Sequence, residues 1–194
     1  QRPRMPPIDS HRLSILSKSE IHALYGIPVF NDADREHYFD MSPAEMASAQ
    51  ARTQGLGVFQ ALELGYFKSK RQFFNFQTID VQADLHHIAH RHFWGIDTKD
   101  LRLPVAKTRA RIQQTILELC AYRAFDASAS AELANRMLRM AAISTHPVYL
   151  LREALQHLES NRVVAPKYST LQDLIGAVLE RESLRVTRIM DEHI

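Results

Sequence analysis

The chain has 194 residues, a formal net charge of +2 and a single cysteine, Cys120. A chain of this length can bury one large core or two small ones. The lone cysteine excludes an intrachain disulfide and a cysteine-based zinc finger. No apolar run is long enough to cross a bilayer. The net charge is small, but the charges are unevenly distributed along the chain: residues 66–76 and 101–125 together hold eight cations and one acid. A basic face of this kind matters more to a polyanionic partner than the net charge does.

The N-terminal part of the sequence predicts an extended arm followed by short helices. Residues 1–16, QRPRMPPIDSHRLSIL, contain three prolines and three arginines, which is typical of a flexible basic arm. A capping box, SKSE from Ser17, begins a helix that should end at Gly26. SPAE from Ser42 predicts another start, with serine as the cap and proline at the first helical position.

Two further helices complete the first predicted unit. The run GVFQALELGYF, which starts at Gly57, has apolar residues at helical spacing, and the helix should continue to a break near Asn75. After Asp80, the apolar residues of VQADLHHIAHRHF again follow a helical period. We therefore expect residues 17–95 to form a first helical bundle.

The stretch LGYFKSKRQFFNF, residues 64–76, mixes cations and aromatic rings. The rings could be core residues at a helix end with solvated cations beside them, or the stretch could lie along a polyanion. The cations are Lys68, Lys70 and Arg71, and the rings are Tyr66, Phe67, Phe73, Phe74 and Phe76.

The second predicted unit begins after GIDTKDLRLP, residues 95–104, which has no helical period, and residues 96–104 of it are our candidate linker. Four helical patterns follow, and STLQ from Ser169 resembles a capping box with Gln172 at its third position. The patterns are 105–123, 127–143, 148–161 and 170–190. Only RVVAP, residues 162–166, resembles a strand, so the sequence predicts an all-α chain of two small helical bundles, 17–95 and 105–194.

The helix predicted from residue 105 begins with an unusual concentration of cations. Because the dipole of a helix is positive at its N-terminus, each cation there costs about 0.3–1 kcal/mol. A phosphate bound at this end would offset the cost, and Arg and Gln side chains suit base edges in the major groove. A plain solvated first turn is the alternative. The polar side chains concerned are Lys107, Thr108, Arg109, Arg111, Gln113 and Gln114.

No pattern in the sequence predicts a catalytic or metal site. The cluster HHIAHRH contains His86, His87, His90 and His92, and two of these are four residues apart. A zinc site would need a third ligand and usually a catalytic acid, which the cluster lacks. There is no G-x-S-x-G turn and no phosphate-binding glycine-rich loop. We expect a solvated helix surface here, and a fragment that is not an enzyme.

Long segments of the sequence resemble a known family. LSKSEIHALYGIPVFNDADREHYFDMS, LGVFQALELGYFKSKRQFFNF, LRLPVAKTRARIQQTILEL and NRVVAPKYSTLQDLIG are similar to the N-terminal region of the Tn-three family of replicative transposases. The resemblance covers the chain from Leu16 onward. It implies helix-turn-helix-type modules that bind the terminal inverted repeats of a transposon.

The resemblance also implies what this chain lacks. Strand transfer in the family is a DDE-type, metal-dependent reaction whose carboxylates lie in a later RNase H-like domain. Any Mg²⁺ would bind there, so we expect no catalytic residue, metal ligand or cofactor in this chain, and a final helix that leads towards the rest of the transposase. Its DNA-binding residues would be Lys68, Lys70, Arg71, Arg102, Lys107, Thr108, Arg109, Arg111, Gln113, Gln114, Lys167, Ser169, Thr170 and Gln172.

These inferences give one main hypothesis and one alternative. The main hypothesis is sequence-specific binding of double-stranded inverted-repeat DNA in the bacterial cytoplasm, at the nucleoid, without a membrane partner. In it, Phe67, Phe73 and Phe74 are core residues, while the roles of Tyr66 and Phe76 remain open. The alternative is a protein-interaction or dimerisation module that uses the apolar stripes and the mixed-sign surface of residues 127–161.

Overall fold

The computed structural model describes residues 12–193 and confirms an all-α chain. No helix within this range is both long and apolar enough to cross a membrane. RVVAP contributes only an isolated bridge between Arg123 and Val163, and the described residues contain no β-strand. The helices are α1 Lys18–Tyr25, α2 Asp32–Tyr38, α3 Pro43–Gln50, α4 Gln54–Lys70, α5 Gln82–His92, α6 Ala106–Cys120, α7 Ala127–Ala141, α8 Pro147–Ser160 and α9 Tyr168–Asp191.

Side-chain caps explain where several of these helices begin. Ser17 and Ser42 form the predicted capping boxes of α1 and α3 with the glutamates three residues later. Asn31 and Asp34 form an equivalent box at α2, a helix that the sequence analysis missed although its capping pattern is present. The predicted cap of α9 is wrong, because its N-cap is Lys167, which makes no side-chain capping bond.

Helix α4 is the centre of the first group of helices. All eleven residues from Gly57 to Phe67 are buried, because α2, α3, α5 and α6 all pack against α4. Gly65 permits this packing, since a Cβ atom there would lie 2.3 Å from a ring carbon of Phe39. The helix ends at Lys70, several residues before the predicted break near Asn75.

Helix α6 belongs with this first group and not with the helices that follow it. Ile112 and Ile116 are fully buried and pack in one cluster with Leu64 and Phe67 of α4. Leu101, inside the predicted linker, is itself buried in the core around α4. The predicted division at residues 96–104 therefore does not separate two cores, because the apolar side of α6 needs α4 to cover it.

Helices α7, α8 and α9 form a second group around Leu133, Met137, Leu150 and Ile175. The segment 12–16 and α1 also pack on this core, through Ile15, Leu16 and Ile21. These residues are far from it in sequence, so helix periodicity alone could not assign them to it. Residues 1–11 of the predicted arm lie outside the described residues.

Two helices end in left-handed residues, and a third left-handed residue follows α8, at the junction of the two groups. Arg71 at the end of α4, Ala121 at the end of α6 and Arg162 after α8 have φ angles of 56°, 53° and 52°. Arg162 donates to the carbonyl oxygens of Cys120, the last residue of α6, and of its cap Ala121, the latter at 3.0 Å. The amide of Ala165 donates to the carbonyl of Arg71 at 3.3 Å. These bonds join the ends of α4 and α6 to the segment after α8.

Candidate nucleic-acid interface

Two cations of the stretch 64–76 are half-buried and bound by other segments of the protein. The Nζ of Lys68 donates to the carboxylate of Glu45 at 2.7 Å and to the carbonyl of Asp40 at 2.8 Å. The Nζ of Lys70 donates to the carbonyls of Ala23 and Gly26 at the end of α1, and burial lowers the pKa of Lys70. Neither ammonium is held out towards solvent, which weakens the prediction that these two lysines bind phosphate.

Arg71 is half-buried and lies beside aromatic rings. Its guanidinium carbon is 5.9 Å from the ring centre of Phe67 and 5.5 Å from that of Tyr122. Arg162 approaches the same tyrosine at 4.9 Å. Cation–π contacts of this kind fix the guanidinium groups at the junction of the two helix groups.

The structure settles the question about the rings of this stretch. Phe67 and Phe74 are buried as predicted and Phe73 is partly buried, and Tyr66 and Phe76, whose roles were open, are buried as well. The Tyr66 hydroxyl donates to Asp84 at 2.5 Å, and burial raises the pKa of Tyr66. In this fold the buried rings are not available for stacking on a base.

The inner side of α6 is held by a buried carboxylate. Glu63 of α4 is only 3% exposed and accepts hydrogen bonds from Arg109 at 3.0 Å and from Gln113 at 3.1 Å. Burial raises the pKa of Glu63, although the charge of Arg109 and the bond from Gln113 oppose that rise. Arg109 also donates to the carbonyl of Phe74, so the predicted DNA-binding residues Arg109 and Gln113 hold α6 against α4.

The outer side of α6 presents a different set of the predicted residues. Lys107, Arg111 and Gln114, which we call the α6 outer face, are exposed and lie at positions i, i+4 and i+7 of one helix side. No acid occurs between residues 101 and 117, and the N-cap residue Val105 makes no side-chain capping bond. The first N–H groups of α6 therefore have no side-chain acceptor among the described residues.

Two further predicted residues, Arg102 and Thr108, lie near this face in sequence, and Gln114 of the face itself makes one surface contact. Arg102 is exposed and donates to the backbone carbonyls of Lys99 and Leu101, at 3.2 and 3.3 Å. Thr108 is half-buried. Gln114 donates to the carboxylate of Glu118 at 3.2 Å on the surface, which is an exchangeable contact.

The start of α9 is partly covered by the N-terminal segment. Gln172 donates to the carbonyl of Leu13 at 2.9 Å, and the hydroxyl of Tyr168 accepts from the amides of Ile15 and Leu16. Ser169 is half-buried, whereas Lys167 and Thr170 are exposed. Of the fourteen predicted residues, those that are exposed without a side-chain hydrogen bond in residues 12–193 are Lys107, Arg111, Lys167 and Thr170.

The histidine cluster does not converge on one point. The Nε2 of His92 lies 3.0 Å from the carbonyl of Phe39, and burial lowers the pKa of His87. His86 and His90 are exposed, with ring centres 6.4 Å apart. Within the described part of the chain, no three His, Cys, Asp or Glu residues are placed to hold a metal ion.

Buried polar residues of α4 are the part of this region that the sequence analysis missed. Gln60 and Glu63 are almost fully buried, and Gln60 bonds to Arg52 and Ser48. Their position inside the apolar run VFQALELGYF is the signal that could have found them, because polar residues in a buried helix need partners. Arg109 and Gln113 would then have been candidates for that role.

Comparison with known proteins gives a family but no activity. No curated protein matches the chain. A family described as "Domain of unknown function (DUF4158)" matches residues 15–178, which include every helix from α1 to α8 and the first part of α9. The match thus covers both helix groups and the α6 outer face, and the chain belongs to the DUF4158 family.

Proposed function

We propose that this chain is a DNA-binding module that uses the α6 outer face to bind the terminal inverted repeats of a transposon. In this proposal it is the N-terminal region of a Tn-three-like transposase, and it positions a separate catalytic domain on the DNA. Lys107 and Arg111 contact phosphates, and Gln114 contacts a base edge. Arg102, and Lys167 with Thr170 at the start of α9, are further phosphate contacts.

The α6 outer face is the observation that supports this proposal. It combines two exposed cations, an exposed amide side chain and a helix N-terminus without a side-chain cap. Cations at this end oppose the helix dipole, at a cost of about 0.3–1 kcal/mol each. A phosphate bound at the N-terminus would interact favourably with both the helix dipole and the ammonium group of Lys107, and would so offset this cost.

Ion pairs elsewhere leave the α6 outer face positive. Glu63 is bound on the inner side of α6, and Glu45 and Asp84 are bound by Lys68 and Arg35. Each of these carboxylates lies within 3.0 Å of a cation, so their charges are compensated locally. Glu45 and Glu63, two of the acids in residues 26–65, are therefore compatible with a basic surface on α6.

The alternative, a partner surface on residues 127–161, has less support from the fold. The apolar residues on which it rested, including Leu133, Met137, Leu150 and Leu158, pack inside the second helix group. Among the large apolar residues of this range, Ile143 alone is strongly exposed, at 77%. A partner helix would find no continuous apolar stripe there, and we therefore favour the DNA-binding proposal.

The test compares two double variants that remove the same charge. The first, Lys107→Ala with Arg111→Ala, changes the α6 outer face, and the control, Lys18→Ala with Arg152→Ala, removes exposed cations from α1 and α8. Affinity for a transposon-end duplex is measured over a range of salt concentrations. If both α6 cations contact phosphates, the log–log salt slope becomes shallower by about 1.8. The control should keep the slope of the unmodified chain.

A third variant separates base contacts from phosphate contacts. Gln114→Ala should reduce the preference for the transposon end over a scrambled duplex by about 1–3 kcal/mol and leave the salt slope unchanged. Equal salt slopes for the two double variants would remove α6 from the interface. Absence of any duplex retardation by the unmodified chain would reject the proposed function itself.

A further inference from the structure

A mostly apolar groove lies on the second helix group, between α7 and α9. It has a volume of about 350 Å³, and we call it the α7–α9 groove. Small residues form part of its wall, namely Ser130 and Ala134 of α7 and Ala177 of α9. Leu138 and Leu174 also line it, and both are only partly buried although they pack on the core of this group. The groove therefore leaves apolar surface open to a further segment of chain.

The N-terminal segment comes to the edge of this groove. Arg12, the first residue that the structure describes, pairs with Asp173 at 3.0 Å, and Asp173 itself lines the groove. The next residue, Leu13, accepts a hydrogen bond from Gln172 at 2.9 Å. Residues 1–11 are thus joined to the rest of the chain at a point beside the groove.

The contacts of this segment with α9 also give its direction. As the chain runs backwards from residue 16 to residue 12, its partners on α9 are Tyr168, then Gln172, then Asp173. Each residue of a helix is rotated by about 100° from the one before, so these partners lie at about 0°, 40° and 140° around α9. The groove-lining positions 170, 174, 177 and 181 lie at about 180–240° on the same scale. The segment therefore crosses the outside of α9 towards the groove.

The sequence before Arg12 has the composition of an occupant. Residues 5–8 read MPPI, and the charged residues Arg2, Arg4 and Asp9 lie outside this apolar run. Proline favours an extended conformation and has no N–H group, so such a run enters an apolar groove with few backbone donors to satisfy.

The length of the segment also matches the groove. Seven residues of extended chain, from residue 12 back to residue 5, span at most about 25 Å. The groove runs along α9 from Thr170 to Arg181, which is about 17 Å of helix. Residues 5–8 can therefore reach every part of the groove.

We propose that residues 5–8 occupy the α7–α9 groove of the same copy of the chain. Met5 and Ile8 cover Leu138 and Leu174, and the two prolines lie over the small residues of the wall. The arm that the sequence predicts as flexible is then part of the second helix group. The groove shares only Thr170 with the residues proposed to bind DNA, and the inference does not depend on that proposal.

The first test asks which side of α9 the segment contacts. All variants are made in the 194-residue chain with Cys120→Ala, and Ala177→Cys introduces a thiol in the groove. Gly176→Cys is the matched control, because this neighbouring residue of α9 has open space for a Cβ atom and lies about 100° away, outside the groove. Each is combined, one at a time, with Met5→Cys, Pro6→Cys, Pro7→Cys and Ile8→Cys.

The rate of disulfide formation under mild oxidation is measured by mass spectrometry. A segment held in the groove has a higher effective concentration near position 177 than near position 176. At one or more of the four positions, the disulfide should therefore form at least about fivefold faster with A177C than with G176C.

The second test measures how often the groove is occupied. Met5→Ser with Ile8→Ser removes the apolar side chains, and Arg2→Ser with Arg4→Ser is the control outside MPPI. A segment that occupies the groove about nine-tenths of the time slows hydrogen exchange through opening of the groove about tenfold. Exchange in residues 130–138 should therefore be about tenfold faster in M5S/I8S and unchanged in R2S/R4S.

Equal disulfide rates with A177C and G176C at all four positions would overturn the proposal. So would exchange in M5S/I8S that equals exchange in the unmodified chain. A disulfide that joins two copies would assign the groove to the segment of a second copy, and it would overturn the proposal as well. Both tests are made without DNA, so their failure is distinct from a failure of the proposed function.

Discussion

Replacing Arg109 with alanine should destabilise the protein, although the sequence alone predicted that this residue binds DNA. The substitution removes the cation that pairs with Glu63, a residue that is only 3% exposed. It leaves Gln113 as the remaining donor to that carboxylate. It also removes a guanidinium that lies 4.5 Å from the ring centre of Phe76. Breaking a buried ion pair by deleting one partner costs about 3–5 kcal/mol.

The matched control lies two residues further along the same helix. Arg111→Ala removes the same side chain from the exposed side of α6 and should change stability by less than about 0.5 kcal/mol. For a chain of this size, 1 kcal/mol corresponds to about 2–4 °C in Tm, so R109A should unfold about 10 °C below R111A. Thermal and urea unfolding followed by circular dichroism measure the difference.

The effect of pH provides an internal check on the cause. Burial already raises the pKa of Glu63, and loss of the Arg109 charge should raise it further. A carboxyl whose pKa is higher in the folded than in the unfolded state binds protons more readily when folded, so stability falls as pH rises through the folded-state pKa. The deficit of R109A should therefore be smaller at about pH 5 than at about pH 7.5. Equal stabilities of R109A and R111A would refute the assignment of Arg109 to the buried pair.

Four other substitutions test local features of the fold by thermal unfolding and hydrogen exchange. Ala121→Gly should stabilise by about 0.5–1 kcal/mol, because a left-handed φ strains alanine, whereas Ala129→Gly inside α7 should destabilise by about 1 kcal/mol. Tyr66→Phe should cost about 1–3 kcal/mol by leaving buried Asp84 without one donor, and unchanged stability would contradict that bond. Lys70→Met should speed hydrogen exchange in α1, whose last carbonyls Lys70 caps, and protection equal to the unmodified chain would argue against that cap.

The sequence was enough to predict where along the chain the basic segments lie, but not which of their side chains would be exposed together on one surface. The sequence located the basic start of α6 correctly, and Lys107, Arg111 and Gln114 are exposed there. It also assigned Lys68, Arg109 and Gln172 to DNA, and in the structure these side chains bond to Glu45, Glu63 and the carbonyl of Leu13. Their partners are 23, 46 and 159 residues away, so no local pattern could reveal them.

The sequence by itself determined the helices, because caps and apolar periods act over a few residues. The capping boxes at Ser17 and Ser42, and the apolar sides of α4 and α6 to α9, are local properties of the chain. Only the tertiary structure decided how the helices group. Helix α6 packs on α4, and α1 packs beside α9, because each apolar side is buried by whichever distant element fits it. That same packing determined which cations of the chain face solvent and which neutralise a buried carboxylate.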